Sequence, residues 1–142
     1  MWNWCRAALI ATVFIPSSAF AQTQSLAGAW TFRAVFEEIG CSISGEATLT
    51  ATRADNVYDV AMTATETCRT GSYQPVGQQC KARRTQDRVA IRCIIVSIEP
   101  GRAYPPDDFE LTVQDANLMT GLLTANWNAP AVWRRLGRPP VA

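Results

Sequence analysis

The residues able to do chemistry in this chain are few, and their types narrow its possible activities. There is no histidine. That removes Ser–His and Cys–His nucleophile pairs and every imidazole metal ligand. Two acidic doublets, Glu37-Glu38 and Asp107-Asp108, supply the carboxylates a glycosidase needs at a set separation. Neighbours on a strand point to opposite faces, so a doublet there is a poor catalytic pair. Asp107-Asp108 follows Pro105-Pro106 in what reads as a loop, where solvation is expected. No catalytic residue is assigned, and the expectation is a protein that is not an enzyme. The basic residues Lys81, Arg83, Arg84, Arg88 and Arg92 lie close together. They offer a surface to an anion or an acidic partner, or form a solvated face balanced by Asp59 and Glu110; the second reading is preferred.

Cysteine is the remaining reactive type. The chain has five. Cys5 belongs to an N-terminal stretch, MWNWCRAALIATVFIPSSAFAQ, in which Arg6 precedes an apolar run from Ala7 to Ile15. Pro16 breaks the run, and Ala19-Phe20-Ala21 follows as a small-x-small cleavage site. This order of parts predicts a secretory signal peptide over residues 1–21. The apolar run is shorter than the roughly 20 residues a membrane span needs, so no integral membrane segment is expected after cleavage. Residues 22–142 are expected to form one domain, periplasmic or secreted. Its cysteines, Cys41, Cys68, Cys80 and Cys93, are even in number, which in an exported chain reads as two disulfides. They contain no Cys-x-x-Cys, so neither a metal site nor a cofactor is expected. Without Arg6 the 13 basic groups fall to 12, level with the 12 acidic ones. Nothing in that balance points to nucleic acid or an anionic membrane.

The elements that must position these residues read as strands. Turn residues recur about every ten positions, and apolar/polar alternation fills the intervals. Strands are predicted over 29–38, 42–53, 57–67, 77–85, 88–98, 108–114, 118–126 and 131–136, with long connections only at 69–76 and 99–107. A tight turn at Ala54-Asp55 sets Leu49 opposite Val60, Ala47 opposite Met62 and Gly45 opposite Ala64. Ile43 and Ala51 share that inner face with Tyr58. A slip of one residue would turn threonines to the core, so the register is well specified. It also places Cys41 opposite Cys68. A turn at Gln86-Asp87 sets Ala82 opposite Ile91 and Cys80 opposite Cys93. The predicted bridges are therefore Cys41–Cys68 and Cys80–Cys93, with Cys68–Cys80 and Cys41–Cys93 as the rival pairing. Eight antiparallel strands joined mostly by short turns predict an all-β, up-and-down barrel, with a two-sheet sandwich as the alternative.

Gly28-Ala29-Trp30 at the entrance to the first strand resembles the Gly-x-Trp that opens lipocalins and other calycins, avidins included. The resemblance implies a Trp30 that closes one end of the barrel, with an Arg from the last strand, Arg134 or Arg135 in Trp133-Arg134-Arg135, packed on its ring. The chain is shorter than the larger lipocalins and lacks their C-terminal helix. In size and cysteines it resembles small exported bacterial barrels, and it is also similar to small exported proteins of alphaproteobacteria. It also resembles periplasmic inhibitors of metalloproteases, whose bridge from strand two to strand three Cys41 and Cys68 would match; the second cysteine pair has no counterpart there.

Inside such a barrel, Gly45, Ala47, Ala51, Ala64, Ala82, Gly121 and Ala125 are small and inward. The ligand-lining candidates are Phe32, Phe36, Tyr58, Met62, Phe109 and Met119. Large and small residues either interdigitate to fill the interior or leave a pocket for one small apolar ligand. On the strand over 88–98 both faces are apolar, with Ile91, Cys93 and Ile95 inward and Ile94, Val96 and Ile98 outward, so a cover is expected there. The cover is the 99–107 loop, the C-terminal segment, or another protein molecule, and Ile94, Val96 and Ile98 are the candidate contact for a homodimer or partner. The functional expectation is a non-catalytic binding protein holding a small apolar ligand in the barrel. The alternative is a protein-binding module, such as a periplasmic protease inhibitor or an envelope interaction partner.

Overall fold

Along the first strand, Trp30, Phe32 and Ala34 are buried while Ala29 and Arg33 are exposed, the period of two that a single buried sheet face imposes. The computed structural model describes residues 24–137. The expected signal peptide over residues 1–21, with Cys5, lies outside the described residues, as do residues 138–142. The strands are β1 (Gly28–Phe36), β2 (Cys41–Ala51), β3 (Val57–Cys68), β4 (Gly71–Ser72), β5 (Val76–Thr85), β6 (Arg88–Ser97), β7 (Phe109–Asp115), β8 (Leu118–Thr124) and β9 (Asn128–Arg135). Every pairing is antiparallel. Each long strand pairs with the next long strand in the chain, and β1 closes the ring on β9. The two-residue β4 only extends the end of β3. The result is a closed eight-stranded up-and-down barrel, as expected, and not a sandwich. Closure leaves the long strands no free sheet edge along their paired lengths.

The registers follow the apolar pattern. Leu49 pairs with Val60, Ala47 with Met62 and Gly45 with Ala64; Ala82 pairs with Ile91. Disulfides join Cys41 to Cys68 and Cys80 to Cys93, each across directly opposed positions. The rival pairing is not adopted. Ala51, expected inward, is exposed at the end of β2.

Element ends differ from expectation for local reasons. The first strand stops at Phe36, where Glu37–Ile39 forms a 3-10 turn closed by Gly40 in the left-handed region (φ 66). The last strand starts earlier, at Asn128, and runs through Pro130. Pro130 is paired with Leu122 of β8, but the alternation that points the Arg135 N–H at Asn117 and the Leu136 N–H at Ala29 turns its nitrogen toward β1, one residue beyond the pairing that begins at Ala131, so its missing N–H removes no ladder bond.

The middle of the barrel is filled. Trp133 stacks on Phe32 with ring centres 5.1 Å apart, and Phe109 meets both rings edge-on at 5.5 and 5.1 Å. Gly45 and Gly121 contribute close backbone approach, not empty space. A Cβ on Gly45 would lie 1.9 Å from the Thr63 carbonyl oxygen, and one on Gly121 would lie 2.0 Å from that of Glu110.

Candidate functional site

One end of the barrel is plugged. Trp30 is fully buried, and its indole N–H donates to the Leu26 carbonyl at 2.9 Å. The Arg135 guanidinium lies 4.5 Å from the centre of the indole. It donates to the carbonyls of Ala116, Ala27 and Ser25 at 2.8, 2.6 and 2.8 Å. The planar fork of arginine suits three fixed acceptors while one face stacks on a ring. Arg134 alternates outward and is exposed. Gly28, with φ 127, precedes this closure in a conformation side chains rarely adopt. The structure thus brings Gly28, Trp30 and Arg135 together at the floor and leaves Arg134 on the outer wall.

The other end is different. Residues 98–108 connect β6 to β7 across the mouth, and Asp107 within them is 0% exposed. This corrects the expectation of a solvated acidic doublet. Gln78, inward on β5 and 2% exposed, donates from Nε2 to Asp107 Oδ2 at 2.6 Å and accepts from the Asp107 N–H at 2.9 Å. Tyr104 donates its hydroxyl to the same Oδ2 at 2.8 Å. Asp108 turns the other way. Its Oδ1 accepts from the Cys93 N–H at 2.8 Å, just past the last β6–β7 ladder pair, Ile91 with Phe109. Arg102 ties the loop down by lying over both Tyr73 and Tyr104, 4.5 and 5.0 Å from the ring centres.

Burial pushes the Asp107 carboxyl up to about 6; the bonds from Gln78 and Tyr104 pull against that, and the charges of Glu66 and Asp108 add to it. Burial, and then the Asp107 charge, push the Tyr104 phenol above its ordinary value, so it stays protonated as a donor. Among the described residues, three buried side-chain polar atoms have no hydrogen-bond partner: Asp107 Oδ1, Arg102 Nη2 and Trp133 Nε1. Two of the three belong to this one loop, and buried polar atoms in folded proteins are normally paired with protein groups or ordered water.

A cavity of about 150 Å³ opens at this mouth, walled by Phe36, Ile43, Trp127, Glu66, Tyr104 and Asp107 together with the Cys41 side of the disulfide. Among the six ligand-lining candidates, Phe36 reaches it. Phe32, Tyr58, Met62, Phe109 and Met119 are buried in the packed core. The sulfurs of Cys41 and Cys68 lie with the Glu66 carboxylate in a group within 4.8 Å. That spacing suits a metal, but both sulfurs are bonded to each other and offer no thiolate. A larger concavity of about 790 Å³ lies on the outer wall of β1 and β9, against outward side chains such as Val35, Pro130 and Val132.

On the remaining surface, Lys81 pairs with Asp59 and Arg92 with Glu110, Arg84 donates to the Gln24 and Gln86 carbonyls, and Arg83 and Arg88 are exposed. Ile94 and Val96 are 63% and 53% exposed, and Ile98 is half-buried beyond the end of β6. Among the described residues, no helix is long and apolar enough to cross a membrane.

No family model and no curated protein matches the sequence. The fold is similar to a redesigned β-barrel, mFAP1, solved bound to DFHBI. That similarity has a TM-score of 0.57 and 18% identity, and covers 78% of this chain and 94% of that one.

Proposed function

We propose that this is an exported, non-catalytic binding protein of calycin type that holds a small, mostly apolar molecule at the mouth of its barrel. The observation that carries the reading is the contrast between the two ends. The floor is sealed by Arg135 on Trp30, and the concavity of about 200 Å³ beside Arg135 has no unbonded buried polar atom among its described lining residues, whereas the mouth holds an apolar cavity beside buried polar groups that are not fully bonded. Concave, mostly apolar sites with a few fixed polar groups are the usual form of small-molecule sites. The Gly28–Trp30 entrance and the closed barrel support the calycin likeness, and mFAP1 is itself bound to a small molecule. Two disulfides support an oxidising compartment, either the periplasm or outside the cell.

Native mass spectrometry of the chain, exported and purified from the periplasm, tests this reading. A small adduct that leaves on denaturation is expected. A bare chain would turn the assignment toward protein binding.

The exposure of Ile94 and Val96 favours a second reading, contact with a protein partner or a second copy through β6. Val96→Lys should then lower the sedimentation coefficient of the complex. A profile identical to the wild type would remove this reading.

A further inference from the structure

The mouth cavity has a chemical bias. Its charged lining residues, Glu66 and Asp107, are both acidic, and no Lys or Arg side chain lines it among the described residues. The nearest arginine of the loop, Arg102, is engaged over Tyr73 and Tyr104 and donates to the Gln74 carbonyl at 2.8 Å. Asp107 has one oxygen filled by Gln78 and Tyr104, while the other, Oδ1, is buried with no partner. An ionised carboxylate accepts on both oxygens, and leaving one of them dry and unbonded is costly. Gln78 and Tyr104 fix the orientation of the carboxylate, and Asp107 is one of the residues that line the cavity. The rest of the wall is apolar and aromatic, from Ile43, Phe36 and Trp127. A cavity of about 150 Å³ is the size that takes a single benzene ring.

We propose that the mouth binds a small aromatic or aliphatic ammonium compound. Its cationic N–H donates to Asp107 Oδ1, and its apolar body lies against Ile43, Phe36 and Trp127. Glu66 adds a second negative charge at the rim. This inference rests on the mouth-binding reading above and adds the charge class of the ligand. A donor head completes Asp107, and a cation compensates the cost of keeping it ionised under the loop.

The test uses benzylamine, protonated at pH 7.5, and toluene as its uncharged counterpart, each titrated into the ¹⁵N-labelled, disulfide-bonded protein. Benzylamine is expected to shift the Trp127 indole signal and the amides of Tyr104 and Ala125, and to bind at least about ten-fold more tightly than toluene. Asp107→Asn should cut that preference below about three-fold while toluene still binds. In the wild type the same preference should fall as the pH is lowered through about 6, a readout that does not depend on the variant folding. Equal binding of the two probes, or a preference retained in both Asp107→Asn and acid, overturns the ammonium assignment and leaves the mouth as an apolar site. If neither probe moves the mouth signals, both the assignment and the mouth-binding reading fall.

Discussion

Gln78 and Asp107 hold each other twice. The Gln78 amide donates to the Asp107 carboxylate at 2.6 Å and accepts from the Asp107 backbone N–H at 2.9 Å. A polar side chain on the inner face of β5 thereby anchors the loop that crosses the mouth. Gln78→Ala removes both bonds and leaves a buried carboxylate and an N–H short of partners. It should cost roughly 2–3 kcal/mol in urea unfolding. Amides of residues 98–108 should exchange faster than those of the floor, and an unchanged exchange pattern would contradict the anchoring role.

The raised carboxyl of Asp107 gives folding a defined pH dependence. In the unfolded chain the group titrates near the ordinary value of about 3.9, and in the folded protein near about 6. The folded state binds this proton more tightly. Its contribution is fully present below about pH 4 and is lost as the pH rises through about 6. Asp107→Asn removes the titration, while its amide oxygen still accepts from Gln78 and Tyr104. The variant should be more stable than the wild type at pH 7.5, by on the order of 2 kcal/mol, and about equal to it at pH 4. Parallel stability curves from pH 4 to 7.5 would refute this.

At the floor, Arg135→Lys keeps the charge but cannot serve the Ser25, Ala27 and Ala116 carbonyls together while stacking on Trp30. A loss of roughly 1–3 kcal/mol is expected, and Arg135→Leu should lose more because buried acceptors go unpaired. Thermal melts followed by tryptophan fluorescence would show the order. A lysine variant as stable as the wild type would mean that charge alone seals the floor.

Gly121→Ala places a methyl group against the Glu110 carbonyl oxygen and the Leu111 backbone. Backbone on both sides leaves no flexible tip to yield, so the β7–β8 pairing must shift. A cost above roughly 2 kcal/mol is expected. Alanine at a neighbouring exposed position, Leu122→Ala, should cost far less. Similar denaturation midpoints for the two variants would show that the ladder can relax.

The wall of this barrel was legible in the sequence because two independent patterns agreed. Registers chosen only to keep Leu49, Met62, Ile91 and Ala82 inward also set Cys41 against Cys68 and Cys80 against Cys93. The mouth was not legible. Asp107 follows two prolines and precedes another aspartate, a composition that reads as a solvated loop, and its burial depends on tertiary contacts with Gln78 and Tyr104. One signal did exist. Val76, Gln78, Cys80 and Ala82 occupy the buried phase of β5, and a glutamine in an otherwise apolar phase marks a polar partner inside. In the sequence Trp133 stands out only as a neighbour of the arginines, yet its ring is central to the core. The small inward residues suggested room for a ligand, but Gly45 and Gly121 serve close strand approach.

The plug at the floor also sets an order of assembly. Arg135 closes on Trp30 and on the Ala27 carbonyl, 108 residues earlier in the chain. Loop closure over such a separation is entropically late, and long-range strand pairing is slow. A chain delivered from its N-terminus therefore presents β1 with a β2 partner on one side and a bare edge on the other until β9 arrives. During that interval the edge is open to other strands. The last strand acts as a clasp, withholding the finished barrel until the whole wall has been made.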